Sequence, residues 1–170
     1  NTIFVSHTAG AFGGGLYARL TANVIGSTFA GNTSVLDGGG AYLSGGATLV
    51  DTAFTGNTSS GQYGGGAAFN NTANVINTTF ADNAAQYGGG AYFSGAYAGE
   101  LVNGLFARNR AALNGAALFV ADAAPLSLVH TTIVSHTQSA VSAVYLEGGT
   151  VYLTNTIVAS HTTGIRNQFG

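Results

Sequence analysis

The chain has 170 residues, of which only 6% are charged, and its formal net charge is −2. Roughly a quarter of residues are charged in an ordinary domain, and four Arg without any Lys cannot supply the rows of cations that nucleic acid or an anionic membrane needs. An apolar content of 46% argues against disorder, no apolar run reaches the length of a membrane span, and the absence of Cys excludes disulfides and thiolate ligands. We therefore expect one domain with a packed core, no nucleic-acid partner and no direct membrane insertion.

The first predicted element is a short apolar segment in which Phe4 precedes His7 by three residues. An aromatic or aliphatic residue stands at this spacing before Asn or His seven times, at intervals of 25 to 27 residues. Such a period is typical of a solenoid, in which each repeat forms one coil. Stacked amides, and neutral imidazoles, can donate to one neighbouring coil and accept from the other, which predicts a structural ladder. The ladder residues are His7, Asn32, Asn57, Asn83, Asn109, His136 and His161.

The second element along the chain is a glycine cluster followed by an apolar triplet, first seen at residues 13–18. It returns at 38–43, 64–69 and 88–93, with weaker copies at 114–119 and 143–146. Glycine reaches positive φ without penalty and allows close backbone approach, so we expect these clusters at corners of the coil. A phosphate-binding loop would need a following helix and usually a Lys, which this chain does not contain.

The third element is a pair of aliphatic residues, as in Val24-Ile25, which recurs before each Phe-type residue. All three elements are short, rich in β-branched or aromatic residues and alternate with period two, so they predict strands rather than helices. We predict an all-β fold, a right-handed parallel β-helix (solenoid) of about seven coils with ~25–26 residues per coil. It is expected to form a single domain over residues 1–170, either as a stretch of a longer chain or as a polymer subunit.

Period-two alternation divides these strands between an interior and an outward side. One predicted interior column is Ala18, Leu43, Phe69, Phe93, Phe119 and Leu146, and another is Phe29, Phe54, Phe80, Phe106 and Ile133. A candidate assembly or ligand face is formed by Tyr17, Tyr42, Tyr92 and Tyr145, with Ala68 and Leu118 in the same outward column. A second outward column is predicted from Val24, Leu49, Val75, Leu101, Leu128 and Tyr152. These apolar stripes either pack beneath neighbouring loops or contact other subunits or a carbohydrate, for which flat aromatic rings are suited.

The repeated Gly-Gly-Gly-Ala-Tyr segment with its downstream Phe-x-x-Asn resembles the repeats of polymorphic outer-membrane proteins. The chain is also similar to choice-of-anchor-type bacterial surface β-helix proteins, through segments such as residues 155–161. The resemblance covers nearly the whole chain as repeat copies. It implies a parallel β-helix displayed outside the cell, at the cell surface or in the extracellular space, with an adhesive or scaffolding role. It supplies no catalytic residue, and the mode of attachment is left open.

The acids and histidines are the residues of this sequence that could carry catalysis or bind a metal. The six acids fall at different phases of the repeat, so they should be scattered around the rod, whereas a polysaccharide lyase or glycosidase needs converging carboxylates. His136 and His161 would lie on adjacent coils, but a structural zinc site needs four ligands. We therefore expect no catalytic residue, no metal and no cofactor, and keep a polysaccharide-active enzyme as the alternative. A second alternative, an ice- or carbohydrate-binding module, rests on a row of Thr at Thr28, Thr79, Thr132 and Thr156.

The two ends of the sequence are nearly the same. Residues 1–8 read Asn-Thr-Ile-Phe-Val-Ser-His-Thr, and residues 155–162 read Asn-Thr-Ile-Val-Ala-Ser-His-Thr. An open coil presents unpaired strand edges, and a head-to-tail contact between such edges gives a filament. We therefore expect a structural surface adhesin or filament subunit, whose partners are further copies of itself or surface glycans, and no enzyme.

Overall fold

The computed structural model describes residues 1–95, 99–122, 125–135 and 141–168. These residues form 25 short strands and no helix. The strands are β1 Ile3–Val5, β2 Thr8–Ala9, β3 Leu16–Ala18, β4 Ala22–Ile25, β5 Thr28–Ala30, β6 Thr33–Ser34, β7 Ala41–Leu43, β8 Ala47–Val50, β9 Ala53–Thr55, β10 Thr58–Ser59, β11 Ala67–Phe69, β12 Ala73–Ile76, β13 Thr79–Ala81, β14 Ala84–Tyr87, β15 Ala91–Phe93, β16 Gly99–Val102, β17 Leu105–Ala107, β18 Arg110–Asn114, β19 Leu118–Val120, β20 Leu126–Val129, β21 Thr132–Val134, β22 Val144–Leu146, β23 Val151–Thr154, β24 Ile157–Ala159 and β25 Ile165–Asn167.

The strands belong to four sheets that the chain visits in turn, and every strand pairs in parallel with its counterpart one coil away. Sheet 1 is β1-β5-β9-β13-β17-β21-β24, sheet 2 is β2-β6-β10-β14-β18, sheet 3 is β3-β7-β11-β15-β19-β22-β25, and sheet 4 is β4-β8-β12-β16-β20-β23. Seven strands in one sheet are separated by six full turns (7 − 1), so the solenoid has about six turns. The predicted all-β parallel β-helix is confirmed, with a turn number close to the seven coils expected.

Sheet 1 supplies a continuous aromatic stack to the core. Phe29 stacks on Phe54 with ring centroids 4.6 Å apart and planes 7° apart, and Phe54 stacks on Phe80 at 5.0 Å and 4°. Phe4 and Phe106 extend this column at its two ends, and Ile133 continues it. Rings at successive positions can overlap because parallel strands are about 4.8 Å apart. The interior column predicted from the Phe-x-x-Asn spacing is therefore confirmed.

The column predicted to face outward from sheet 4 faces the core instead. Leu49, Val75, Leu101 and Leu128 are fully buried and Val24 is nearly so, whereas Ile25 is 59% exposed. The error has a local cause: the residue after each of the first five aliphatic pairs has positive φ, for example Gly26 at 57°, and turns the chain through a corner. That corner shifts the alternation by one residue, so Val24 and Phe29 both point inward.

Tyr152 also belongs to a different column from the one predicted. Its register partner in β20 is Ser127, whereas Leu153 pairs with the buried Leu128. Tyr152 is accordingly an outward residue of β23, and Leu153 continues the column of Leu49 and its equivalents.

Sheet 3 shows a second register difference. Leu118, Phe119 and Val120 pair with Ala91, Tyr92 and Phe93 in that order. Phe119 therefore lies in the outward tyrosine column, and the fully buried Leu118 faces the core, the reverse of the prediction. The cause is a bulge that gives β18 one more residue than β14, which displaces the following glycine cluster by one position.

The glycine clusters lie at corners of the coil, where the backbone of the neighbouring coil leaves no room for a side chain. Gly38 has a φ of 67°, a backbone region that disfavours side chains. At Gly39 a Cβ atom would overlap the backbone carbonyl groups of Gly65 and Thr58, with the Thr58 carbon only 2.5 Å away. This packing of coil on coil explains why the cluster recurs once in each of the central repeats.

Candidate functional site

The four asparagines of the predicted ladder form a chain of hydrogen bonds from coil to coil. Asn57 donates its side-chain Nδ2 to Asn83 Oδ1 at 3.0 Å and to the Phe29 carbonyl oxygen at 2.9 Å. Its backbone N–H donates to the same Asn83 Oδ1 at 2.9 Å. Each amide therefore connects three successive coils. Asn32 and Asn83 repeat the pattern, which ends at Asn109, and all four side chains are buried.

Histidines stand at the two ends of this ladder. His7 donates its backbone N–H to Asn32 Oδ1 at 3.0 Å, and its Nδ1 lies 3.2 Å from the same oxygen. His136 lies outside the described residues. Within the described part of the chain, neither ring nitrogen of His161 has a hydrogen-bond partner, and burial lowers the pKa of this imidazole below its usual 6.5. Among the described residues, the ladder is thus hydrogen-bonded from His7 to Asn109, and the ring of His161 is without a partner.

A second, exposed ladder was missed from the sequence. Asn77 donates to Asp51 Oδ1 at 3.1 Å and Asn103 donates to Asn77 Oδ1 at 3.0 Å, all three residues having positive φ at the corner between sheets 4 and 1. The signal was present, because the residue after each of the first five aliphatic pairs is Gly, Asp, Asn or His, types enriched in this conformation. The next corner carries the exposed ion pair between Arg108 and Asp82, with a 2.7 Å contact.

The tyrosines of the candidate face lie together on the outward side of sheet 3. Tyr17 is 47% exposed, Tyr42 and Tyr92 are half-buried, and Tyr145 is buried. The register of the parallel strands places all four tyrosines in one column along the rod, which is the grouping that the sequence predicts. The complete column is Tyr17, Tyr42, Ala68, Tyr92, Phe119, Tyr145 and Arg166.

A second row of aromatic side chains, from the corners before the glycine clusters, packs on this column. Phe12 lies 4.5 Å from Tyr42 between ring centroids, and Tyr63 stacks on Tyr92 at 4.3 Å. The column is therefore partly covered by its own neighbouring loops, one of the two alternatives left open by the sequence. Sequence reasoning missed this second row because Phe12 and Tyr63 stand at the corners, outside the strands.

Among the described residues, the charges at the aromatic face are those of Arg166 at its end and of nearby carboxylates such as Asp37. Burial raises the pKa of Tyr92 to about 12 and also raises the pKa of Asp37, an effect that the backbone N–H of Tyr63, 3.1 Å from Asp37 Oδ1, partly offsets. The Tyr42 hydroxyl accepts a hydrogen bond from Asn70 Nδ2 at 2.8 Å. Such a surface can stack on flat apolar faces and form neutral hydrogen bonds.

The described residues contain no group of three or more His, Asp or Glu side chains placed to hold a metal ion. Across the part of the chain that the structure describes, no helical segment has the length and apolar character of a membrane span. The absence of catalytic residues and cofactors stays a prediction.

Only three of the four threonines in the predicted row lie in one column. Thr28, Thr79 and Thr132 occupy one outward column of sheet 1, interrupted by Ala53 and Leu105. The residue that continues this column is Ile157, because it pairs with Thr132. Thr156 lies one position earlier and donates its hydroxyl to the Leu128 carbonyl oxygen at 3.0 Å, so its inclusion in the row was wrong.

Both ends of the rod expose apolar surface. At the first coil Ile3 is 71% exposed, and a depression of about 340 Å³ opens beside β4 and is lined in part by the core residues Phe4 and Leu16. At the last coil Ile157 is 60% exposed and Leu153 is 45% exposed. Among the described residues, no strand covers the outer edge of β1 or of β24.

Comparisons of the chain with protein-family models, with curated proteins and with solved structures give no significant match.

Proposed function

We propose that this protein is a non-catalytic, structural β-helix of the extracellular space or cell surface, and that its copies stack head to tail into a filament. One observation carries the proposal: β1 and β24 are the two open edges of the same sheet and lie in segments of nearly the same sequence, residues 1–8 and 155–162. Open parallel edges with exposed apolar residues favour pairing with another strand. The two edges lie at opposite ends of the rod, so the contact joins two different surfaces and is heterologous. It can repeat from copy to copy without closing into a ring.

The hydrogen bonds inside the rod indicate how two copies would join. In sheet 1 the backbone N–H of Thr28 donates to the Thr2 carbonyl oxygen of the preceding coil at 2.9 Å. The N–H of Ile157 donates to the Thr131 carbonyl oxygen in the same way at 2.9 Å. Continuation of this pattern pairs Ile3 N–H of one copy with Thr156 O of the copy before it. The outermost strands would then gain the ladder partner that interior strands already have.

A non-catalytic role is supported by the distribution of the carboxylates. Asp82 is paired with Arg108, and Asp37 accepts a backbone N–H at a corner. Hydrolysis or elimination on a polysaccharide requires two groups that converge on one bond. The location outside the cell is supported by the resemblance to surface β-helix repeats.

A second candidate function is the binding of surface glycans by the aromatic face. It is favoured by Tyr42 and Tyr92, which are half-buried and have a raised pKa, with Asp37 near Tyr42, since such rings stack on sugar faces while carboxylates accept hydrogen bonds from sugar hydroxyls. Binding to a glycan array that is lost on Tyr42→Ala, and kept on Tyr152→Ala as an exposed control, would support it.

The filament is tested by removing one edge N–H without removing the strand. Ile3→Pro eliminates the N–H that faces the open edge, whereas Ile3→Ala keeps this N–H and shortens the same side chain. We expect filaments of the unmodified chain in negative-stain microscopy, shortened filaments for Ile3→Ala and dispersed particles for Ile3→Pro, with similar thermal unfolding of all three. Short, dispersed particles of the unmodified chain at high concentration would contradict the proposal.

A further inference from the structure

Arg166 ends the outward aromatic column of sheet 3. It is the register partner of Tyr145, and its guanidinium carbon lies 6.0 Å from the centre of the Tyr145 ring. The side chain is exposed, and within the described residues no strand lies beyond β25 in this sheet. The guanidinium is thus placed over an aromatic ring on one side, and no described strand of sheet 3 lies on its other side.

Tyr17 begins the same column at the other end. Its ring contacts Tyr42 of the next coil, with centroids 5.5 Å apart, and Phe12, with centroids 5.8 Å apart. No described residue pairs with Tyr17 on the side of the first coil edge, because β3 is the last strand of sheet 3 in that direction. The column therefore has a cation at one end and an open aromatic ring at the other.

We infer that Arg166 of one copy inserts between its own Tyr145 and the Tyr17 ring of the next copy. This inference rests on the proposed end-to-end stacking and specifies its junction. Pairing of β25 with β3 of the next copy places Arg166 opposite Tyr17, by the same parallel register that relates Tyr145 to Arg166. Two strand spacings of about 4.8 Å separate the flanking rings, which leaves room for one planar guanidinium between them.

The contact between Arg166 and Tyr17 would also select one rotation of the next copy about the rod axis. The rod has four sheets, and backbone hydrogen bonds alone would allow two rods to meet in several rotations about their common axis. Among the columns described, the outward column of sheet 3 is the one that ends in an aromatic ring at one end and a guanidinium at the other. A cation–π contact at this single position therefore favours the rotation in which sheet 3 continues as sheet 3 and sheet 1 as sheet 1.

The test uses the full chain and sedimentation velocity to measure the association constant. Arg166→Ala should weaken association about three- to thirtyfold, the range expected for a cation–π contact at exposed to desolvated sites. Arg166→Lys should retain part of the affinity. Arg110→Ala, which removes an exposed Arg on a central coil, is the matched control and should leave association unchanged. Thermal unfolding of each variant establishes that the fold is kept.

Tyr17→Leu completes a double-mutant cycle. If the two residues are in contact across the junction, the double variant Arg166→Ala/Tyr17→Leu should associate no more weakly than Arg166→Ala alone. Association of Arg166→Ala equal to that of the unmodified chain would overturn this junction and leave the filament proposal standing. An unmodified chain that stays monomeric at every concentration would overturn both.

Discussion

The side-chain Nδ2 of Asn57 lies 3.0 Å from Asn83 Oδ1, and the same oxygen accepts the backbone N–H of Asn57 at 2.9 Å. Because Nδ2 also donates to the Phe29 carbonyl oxygen of the preceding coil, one amide fixes the spacing and the register of three coils. A buried polar group is tolerated only when its donors and acceptors are paired, and here each Asn pairs those of its neighbours. The ladder therefore holds the phenylalanine stack in register.

Replacing Asn57 by Ala should be strongly destabilising. The change leaves the backbone N–H and the amide of Asn32 without their acceptor, and the Phe29 carbonyl oxygen without its donor. We expect a loss of roughly 3–5 kcal/mol in the free energy of unfolding. Asn74→Ala, at an exposed position of β12, is the matched control and should change it by less than about 0.5 kcal/mol. Equal effects in denaturant titrations would mean that the buried ladder adds little stability.

The sequence was sufficient to predict the coils and several of their columns. The spacing of Phe54 and Asn57 recurs in every central repeat, and both the phenylalanine stack and the chain of amides follow from placing equal positions above one another. The inward and outward positions of sheet 4 were predicted incorrectly because the alternation of inward and outward side chains changes at a corner such as Asp51. The positive φ of this residue is not visible in a pattern of apolar residues. Phe119 was misplaced by one residue because the preceding strand contains a bulge.

The covering of the tyrosine face was beyond sequence reasoning for a different reason. Tyr63 stands before a glycine cluster, and whether its ring folds back over Tyr92 depends on the direction of the corner. Periodicity shows which residues lie at equal positions in successive coils, but it does not give the direction of a side chain at an irregular position. The exposed ladder at Asn77 was missed although its residue types were readable, because they carry no hydrophobic pattern.

Gly39→Ala should destabilise the rod through a backbone collision. A Cβ atom at this position would overlap the carbonyl groups of Gly65 and Thr58, which belong to the packed backbone and cannot move independently. We expect a cost of about 2–4 kcal/mol in the free energy of unfolding. At Gly10 no other atom lies within 4 Å of such a Cβ, so Gly10→Ala should be neutral or stabilising by up to about 1 kcal/mol. Thermal and chemical unfolding of the two variants would distinguish close packing from a general preference for glycine.

Asp37→Asn should stabilise the protein at neutral pH. Burial raises the pKa of the Asp37 carboxyl above its usual 3.8, so the folded state disfavours the charged form. Between 3.8 and the raised pKa the unfolded chain loses its proton first, and the free energy of unfolding therefore falls as the pH rises through this interval. Asn keeps an oxygen that accepts the N–H of Tyr63 and removes the charge.

The control for this change is Asp51→Asn, at an exposed corner. We expect Asp37→Asn to unfold at a higher temperature than the unmodified chain at neutral pH, with the difference disappearing in strong acid, and Asp51→Asn to show no comparable gain. A gain that is equal at all pH values would point to a cause other than the buried charge.

His161 should make the last coil and the filament sensitive to mild acid. Burial lowers the pKa of this imidazole below 6.5, so the folded state resists protonation and the unfolded chain takes up the proton first. The contribution of His161 to stability is therefore constant above 6.5 and falls as the pH drops below 6.5 toward the lowered folded-state pKa. In the proposed stack His161 also lies beside His7 of the next copy, so that protonation of both would place like charges side by side.

The variant His161→Asn separates these effects from those of other histidines, because it keeps the residue type of the ladder and removes the titrating group. We expect filament length and the unfolding temperature of the unmodified chain to decrease between about pH 7.5 and about pH 5, and His161→Asn to lose most of this dependence. His130→Asn is the control, since His130 is exposed at a corner with positive φ where Asn103 and Asn155 stand in other coils. It should respond to acid as the unmodified chain does, and filaments of constant length across this range would rule out a histidine contact at the junction.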